Sequence, residues 1–165
     1  QRQMCIRDSA NTSVVARRGD FAAAGMHPEV DSAPTHVEGD PHRLSQVVGN
    51  LLDNCVRHCD RGDHVHVRIR PSGDHALLSV KDDGPGIDPD EIPRVFDRRY
   101  RGRSSRTPGS GIGLAVVQEI VRAHHGHVKV SAGADQGTHV IVLLPLCFPR
   151  PEPASSPPSV PAMSS

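Results

Sequence analysis

Aromatic residues are nearly absent from this chain of 165 residues, which has no tryptophan, one tyrosine and three phenylalanines. A core of ordinary size must therefore be built from valine, leucine, isoleucine and alanine. Lysine plus arginine and aspartate plus glutamate number 19 each, so the formal net charge is zero. Domains that bind nucleic acid usually carry a basic excess, and its absence argues against that class of function. The length has room for one ordinary domain.

The sequence also lacks long apolar runs. None approaches the roughly 20 residues that a helix needs to span a bilayer, and there is no signal-peptide pattern. We therefore expect a soluble, cytoplasmic chain that makes no direct membrane contact. The four cysteines are Cys5, Cys55, Cys59 and Cys147. The step between the middle two is not a zinc-ligand spacing such as C-x2-C, which favours small apolar thiols in a reduced compartment over metal or thiol chemistry.

The two ends of the chain are weakly patterned. Residues 1–9 show no useful periodicity and resemble a translated sequencing-adapter junction, so an artificial or disordered start is expected there. Residues 147–165 are dominated by proline and serine, a composition that cannot bury enough apolar surface to order itself. The packed domain is therefore expected over residues 10–146.

Helical and strand patterns alternate between these ends. Apolar residues at three- and four-residue steps predict helices over residues 10–25, 40–58 and 111–125. Alternating or apolar runs predict strands within residues 27–38 and over residues 64–70, 76–80, 127–131 and 138–144. A four-residue loop, 71–74, should join two strands into an antiparallel hairpin, and residues 89–96 should form a short helix. Asp40-Pro41 is typical of an N-cap followed by the first helical residue.

Two glycine-rich turns enclose residues 80–114, the stretch where we expect the function to be built. Asp82 follows an apolar strand and precedes Gly84 and Gly86, so backbone could approach a ligand closely there. An ionised carboxylate only accepts hydrogen bonds, and the exocyclic amine of adenine would be a suitable donor. The alternative is a plain Asp-Gly turn between two elements.

The second turn places glycines at the start of a helix, where backbone N–H groups can meet phosphate. These glycines follow a charged, proline-containing loop rather than a strand, which disfavours a Rossmann dinucleotide site. No Gly-Lys-Ser/Thr follows them, so a Walker loop is not indicated either.

Asparagines line one polar side of the predicted helix over residues 40–58. The amide oxygen of Asn54 could ligate Mg²⁺, which takes few protein ligands and keeps several waters. Asn50, one turn earlier, could orient water around that ion, and Arg57 could neutralise phosphate charge. A merely solvated helix face is the alternative.

Together these motifs resemble one known family. Residues 43–58 are similar to the N box of sensor histidine kinases, residues 80–87 to their G1 box, residues 92–102 to their F box and residues 109–114 to their G2 box. Gly137-Thr138 is similar to the family's final Gly-Thr element. The chain, over roughly residues 38–145, thus resembles the ATP-binding catalytic domain of a two-component histidine kinase in the GHKL superfamily. That implies a Bergerat-type α+β fold, a two-layer α/β sandwich with helices on one face of a mixed, mostly antiparallel sheet.

The resemblance implies a Mg-ATP site, with catalytic roles for Asn50 and Arg57 and a metal ligand in Asn54. Asp82 would select adenine, and His58 would lie against the base. Other residues implied on the adenine side are Gly84, Gly86, Ile87 and Thr138. A lid over residues 97–110 would bring Tyr100 and Arg101 near the nucleotide. The residues implied along the phosphates are Gly109, Ser110, Gly111, Ile112, Gly113 and Leu114.

The resemblance also implies partners. None of the eleven histidines stands in a phosphoacceptor motif, so the γ-phosphoryl group would pass to a histidine on a separate dimerisation domain and then to a response regulator. The chain alone should be inactive, and its parent kinase could be anchored in the cell membrane. Two departures from the family pattern are Cys55 at a usual alanine position and Arg99 at a common phenylalanine position in the F box. The latter leaves open how the lid packs against its partner domain.

Other functions on the same fold are alternatives. An anti-sigma serine kinase and a chaperone- or gyrase-type ATPase are two, although the hydrolases normally carry a glutamate base near Asn50 and none stands here. A degenerate nucleotide-binding regulator without transfer activity is another.

Overall fold

The computed structural model describes residues 2–100, 113–133 and 136–148. The helices in these ranges are α1 (Ile6–Ala16), α2 (Arg18–Ala23), α3 (Pro41–His58) and α4 (Gly113–Ala123), with a 3-10 turn at Ile92–Arg94. The strands are β1 (Arg2–Cys5), β2 (His27–Ser32), β3 (His36–Gly39), β4 (His64–Ser72), β5 (His75–Asp82), β6 (His127–Gly133) and β7 (Gly137–Pro145).

Five strands form one mixed sheet in the order β2-β4-β5-β7-β6. The β2–β4 pair is parallel, and the other three pairs are antiparallel. Val67, Val80 and Val142 are among the sheet residues that belong to a hydrophobic core shared with the helices, whereas His66 and Lys81 on the opposite face are exposed. The expected α/β sandwich with helices on one face of a mostly antiparallel sheet is thereby confirmed.

Helix α3 owes its position to its N-terminal cap and its apolar stripe. The Asp40 carboxylate accepts hydrogen bonds from the backbone N–H groups of His42 and Arg43, and Pro41 occupies the first turn, where no N–H is needed. The stripe packs into the core and turns the opposite, polar side outwards. Its buried residues are Leu44, Val47, Val48, Gly49, Leu51, Leu52 and Cys55.

The end of α4 is tied to the start of α3 by His124. Its Nε2 accepts a hydrogen bond of 3.1 Å from the Asp40 backbone N–H, and its Nδ1 lies 2.8 Å from the Ile120 carbonyl oxygen. Nδ1 is therefore the donor nitrogen of this ring. This contact fixes the placement of α3, which carries the asparagines, relative to α4, which follows the second glycine turn in the sequence.

Several sequence-based boundaries are wrong. Residues 2–9 are not outside the fold: β1 pairs antiparallel with β3, and Ile6 in α1 is 2% exposed. Such a short segment gains its structure from tertiary pairing, which local periodicity does not reveal. Cys147, assigned to the tail, also donates its backbone N–H to His36 at 2.9 Å.

The helix expected over residues 10–25 is broken at Arg17, whose guanidinium reaches across to the Asp53 carboxylate of α3 at 2.8 Å. The segment 27–38 holds two strands with different partners, since β2 joins β4 and β3 joins β1.

Two connections also differ from expectation. The predicted four-residue hairpin loop is shorter, because β4 and β5 stay paired up to Ser72 and His75 and Gly73 supplies the left-handed turn with φ of 61°. The helix expected over residues 89–96 is reduced to the 3-10 turn, which contains Pro93. In the described residues no helix combines the length and apolar character needed to cross a membrane.

The C-terminus of α4 yields a stability prediction. The N–H of His125 bonds the Arg122 carbonyl and that of Gly126 bonds the Val121 carbonyl, which is a Schellman motif. His125 has φ of 61° in this motif, a conformation that favours glycine. His125→Gly should therefore raise the free energy of unfolding by about 1 kcal/mol, measured by urea denaturation.

The control is Ala123→Gly, an exposed position within the same helix. This change should lower the free energy of unfolding by roughly 1 kcal/mol, because glycine is a poor helix former. Loss of stability in His125→Gly would show that the left-handed residue is not strained.

Candidate functional site

The polar side of α3 meets the first residue of α4. Asn50 Nδ2 donates a hydrogen bond of 3.3 Å to the Gly113 carbonyl oxygen. A Cβ atom at Gly113 would lie 3.6 Å from Asn54 Oδ1, so the asparagine is directly next to this glycine. Leu114 packs half-buried against the core. The fold therefore brings both asparagines to the beginning of the helix that the second glycine turn precedes.

Asp82 closes β5 and is 8% exposed. Its Oδ1 accepts hydrogen bonds of 3.1 Å from the backbone N–H of Gly84 and 3.1 Å from that of Thr138. Both fixed donors use the same oxygen, so Oδ2 keeps capacity to accept from a ligand. Thr138 thus contributes through its backbone rather than only through its side chain.

Burial raises the pKa of Asp82, because removal from water disfavours the ionised carboxylate. The hydrogen bonds from Gly84, Thr138 and Cys59 act in the opposite direction and lower it. Its hydrogen-bond donors therefore favour the ionised carboxylate, whereas burial disfavours it.

Glycine is required at two points around Asp82. Gly137 has φ of 74°, and a Cβ atom there would collide with the Asp82 carbonyl oxygen. Gly86 has φ of 75° in the turn that follows the strand, and Ile87 beside it is half-buried. The close approach of β7 to the end of β5 is what delivers the Thr138 N–H to the carboxylate.

Arg57 and His58 end α3 on its exposed side. Desolvation by neighbouring protein atoms and the positive charge of Arg57 lower the pKa of His58, while the charge of Asp82 raises it. A neutral imidazole is therefore favoured at neutral pH, which is compatible with an aromatic base lying against it.

The thiols of Cys55 and Cys59 also surround Asp82, which the sequence interpretation missed. Cys55 is 3% exposed, and its Sγ lies 3.9 Å from Asp82 Oδ2. A hydrogen bond with Cys59, together with burial, raises the pKa of Cys55 well above its ordinary value, so this thiol stays neutral. The four-residue step on a helix that also carries Asn50 and Asn54 was the available signal, because it places both thiols on one face.

Tyr100 is held by the segment before it. Its hydroxyl donates a hydrogen bond of 2.8 Å to Glu91, which is buried, and the Arg94 guanidinium lies 4.6 Å from the centre of its ring. Arg99 is exposed and has φ of 63°. Glu91 was not predicted as a site residue, although it anchors the start of the predicted lid.

Some predicted site residues lie outside the described ranges. These are Arg101, Gly109, Ser110, Gly111 and Ile112.

The metal prediction rests on one amide. Nowhere in residues 2–100, 113–133 and 136–148 do three His, Cys, Asp or Glu side chains gather to hold a metal ion. The Asn54 oxygen beside Gly113 is nevertheless suitable for Mg²⁺, which binds oxygen and takes its other ligands from water and phosphate.

A separate groove of about 460 Å³ lies beside α1, α2 and β2. Its lining includes Val14, Phe21 and Met26 and none of the predicted site residues. This groove and the predicted nucleotide site are therefore different places on the molecule.

Comparisons with known proteins point to one family. The model of the family described as histidine kinase-, DNA gyrase B- and HSP90-like ATPase matches residues 39–147. The signal transduction histidine-protein kinase/phosphatase MprB of Mycobacterium avium is 43% identical over 148 residues, which is 85% of this chain and 27% of that protein. The sensor histidine kinase TrcS of Mycobacterium tuberculosis is 44% identical over 110 residues, 62% of this chain and 22% of that protein.

Solved structures give the same result. The mycobacterial sensor histidine kinase MprB has a TM-score of 0.82 and 34% identity, and the match covers 88% of this chain and 98% of that one. The catalytic domain of histidine kinase ThkA has a TM-score of 0.77 at 18% identity, covering 87% of this chain and 96% of that one, a likeness of fold.

The chain spans about a quarter of the length of the curated MprB relatives that it matches. With a family model matching most of the chain, and with Asn50, Asn54, Asp82 and Gly113 arranged as described, the chain belongs to the histidine kinase-, DNA gyrase B- and HSP90-like ATPase family.

Proposed function

We propose that this chain is the ATP-binding catalytic domain of a sensor histidine kinase. It binds Mg-ATP and donates the γ-phosphoryl group to a histidine on a dimerisation domain, from which a response regulator is phosphorylated in the cytoplasm. The observation that carries the proposal is the position of the anchored Asp82 carboxylate. It lies against Cys55 of α3, and the same helix carries Asn50 and Asn54 at the start of α4. One helix can thus serve both the base and the phosphates of one nucleotide.

The adenine end is assigned to Asp82. Its Oδ1 is occupied by two backbone donors, and Oδ2 accepts from the exocyclic amine of the base. His58, at the exposed end of α3, lies against the ring as a neutral imidazole. Gly84 and Gly86 let backbone approach the base, and Ile87 contributes apolar surface.

The phosphate end is assigned to α3 and the start of α4. Asn54 holds Mg²⁺ through its amide oxygen, and Asn50 orients water around the ion and supports the Gly113 backbone. The ion neutralises charge that develops on the phosphate oxygens during transfer. Arg57 contributes positive charge on the same helix, and residues 109–114 supply backbone N–H groups to the phosphates.

The acceptor has to come from another domain. Catalysis of phosphoryl transfer is mainly positioning and electrostatic stabilisation, and an in-line nucleophile must be supplied. The names of the relatives support histidine as that nucleophile. One turn before Asn50 stands Gln46, an amide that cannot take a proton from water, and this argues against an ATPase of the same fold.

The proposed function is tested by transfer to a supplied acceptor. The chain is mixed with Mg-ATP labelled on the γ-phosphate and a purified dimeric acceptor hairpin from the Mycobacterium avium relative. Label should appear on the hairpin only when chain and Mg-ATP are both present, and the chain alone should remain unlabelled. Binding of Mg-ATP without any transfer would favour a degenerate regulator, and failure to bind nucleotide would refute the proposal.

Asp82→Asn tests the adenine contact. An asparagine Oδ1 can still accept from Gly84 and Thr138, but its NH₂ group would oppose the amine of adenine. The affinity for Mg-ATP, measured by calorimetry, should fall about tenfold to a hundredfold, and thermal stability should be kept. Asp83→Asn, at the exposed neighbouring position, is the matched control and should bind normally. Equal affinities of the two variants would contradict the assignment.

Asn54→Ala tests the metal contact. Loss of the amide oxygen should weaken Mg-ATP binding about tenfold, and binding of ATP in the presence of excess chelator should stay unchanged. His42→Ala, exposed in the first turn of the same helix, serves as the control. An equal loss with and without Mg²⁺ would mean that Asn54 does not contact the ion.

A further inference from the structure

The side of the sheet that faces away from the helices carries a concentration of positive charge. Within β4, β5, β7 and β6 every charged residue on this side is basic, and the carboxylates of Glu29 and Asp31 stand on the edge strand β2. The fully charged residues are Arg68, Arg70, Lys81 and Lys129, which include both lysines of the chain. Because the chain as a whole has no net charge, this side is basic through the placement of its residues rather than through composition.

Ser79 lies near the middle of this side and yet is only 8% exposed. Arg68 stands directly opposite it on β4, and Ile141 stands directly opposite it on β7. The Cβ atoms of such cross-strand pairs are about 5 Å apart. The serine Oγ is 2.7 Å from Nε2 of His139. Since the helices lie on the other side of the sheet, these neighbouring side chains are what covers Ser79.

Basic groups crowd around this serine. Lys81, two residues further along β5, stands directly between His66 on β4 and His139 on β7. Burial lowers the pKa of His139, and the positive charges of Lys81 and Arg68 lower it further. Like charges at directly opposite positions destabilise a sheet. In the part of the chain that the structure describes, no carboxylate forms an ion pair with Lys81, so this repulsion is not compensated there.

Asp31 compensates the charge of Arg68 only in part. Its Oδ2 lies 3.2 Å from Arg68 Nε and 3.1 Å from Arg70 Nη2, so one carboxylate serves two guanidinium groups. A guanidinium has five N–H donors, which leaves Arg68 able to donate to another acceptor as well. An anion above Ser79 would therefore meet positive charge from Arg68 across the strand pair and from Lys81 along the strand.

We propose that the side chains around Ser79 bind a phosphate-type oxyanion, at a site separate from the nucleotide. Arg68 donates N–H groups to oxygens of the anion, and Lys81 supplies a compact positive charge. His139 with its proton on Nε2 donates to Ser79 Oγ, which leaves the hydroxyl hydrogen of the serine for the anion. Because the site lies on an open side of the sheet, a free phosphate ion and the phosphate of a lipid head group present the same chemistry to it.

The alternation of β5 separates this site from the proposed nucleotide site. Successive side chains of a strand point to opposite sides of the sheet. Asp82 therefore stands on the side of the helices, whereas Lys81 stands on the side that faces away from them. The oxyanion site thus goes beyond the proposed function and does not depend on it.

The test is an NMR titration of the nucleotide-free chain with inorganic phosphate, at an ionic strength kept constant with sodium chloride. Selective labelling of lysine with heavy nitrogen gives two backbone signals, because Lys81 and Lys129 are the only lysines of the chain. Phosphate should shift the Lys81 signal in a saturable manner, with the millimolar dissociation constant of an ion site open to solvent. The Lys129 signal should move little.

Three variants test the assignment of the side chains. Arg68→Gln should weaken phosphate binding about tenfold, because a charge-assisted hydrogen bond is lost. Ser79→Ala should weaken it about threefold, the effect of one neutral hydrogen bond. Lys129→Gln is the matched control, since it removes the same charge from the same side, two strands away from Ser79, and should change the affinity by less than about twofold. Thermal unfolding of each variant shows that it is folded.

A second titration uses vesicles of phosphatidylcholine that contain phosphatidic acid. Binding of free phosphate that depends on Arg68 assigns the site to the ion, and binding of the vesicles alone with the same dependence assigns it to the lipid head group. An unchanged Lys81 signal in both titrations, or equal losses in Arg68→Gln and Lys129→Gln, would overturn the inference. Neither titration contains a nucleotide, so these outcomes leave the proposed function untouched.

Discussion

The structure depends on the burial of one carboxylate. Asp82 sits at the end of a core strand, where an ionised group would be costly without hydrogen-bond donors. The donors come from the turn after β5 and from the start of strand β7, and the latter approaches because Gly137 leaves no side chain in the way. Satisfying this one group therefore sets the local path of the turn after β5 and of the start of β7.

Helix α3 connects the surroundings of that carboxylate to the start of α4. Its apolar stripe holds it against the sheet and brings the Cys55 thiol to Asp82, which leaves its other side to carry asparagines towards Gly113. The contact of His124 with the Asp40 backbone keeps α4 in register with α3. Both helices are also fixed by the same hydrophobic core.

Much of this could be predicted because the relevant patterns are local. The period of the apolar residues locates α3 and α4, alternation locates β4, and the order of the glycine and asparagine motifs indicates the family. The break of the first helix at Arg17 could not be predicted, because it accompanies a pairing with Asp53 on another helix. The pairing of β1 with β3 was missed for the same reason, since its partners are far apart in the chain.

The sequence by itself determined the amphipathic helices, the mostly antiparallel sheet and the residue types available for a nucleotide. These follow from local preference and from the separation of apolar and polar side chains. Only the tertiary structure decided that Asp82 is buried, that its Oδ1 accepts from the backbone of the turn after β5 and of strand β7, and that Cys55 and Cys59 lie close to it. Desolvation and hydrogen bonding depend on groups that are distant in sequence, so the charge state of the carboxylate is a property of the folded molecule.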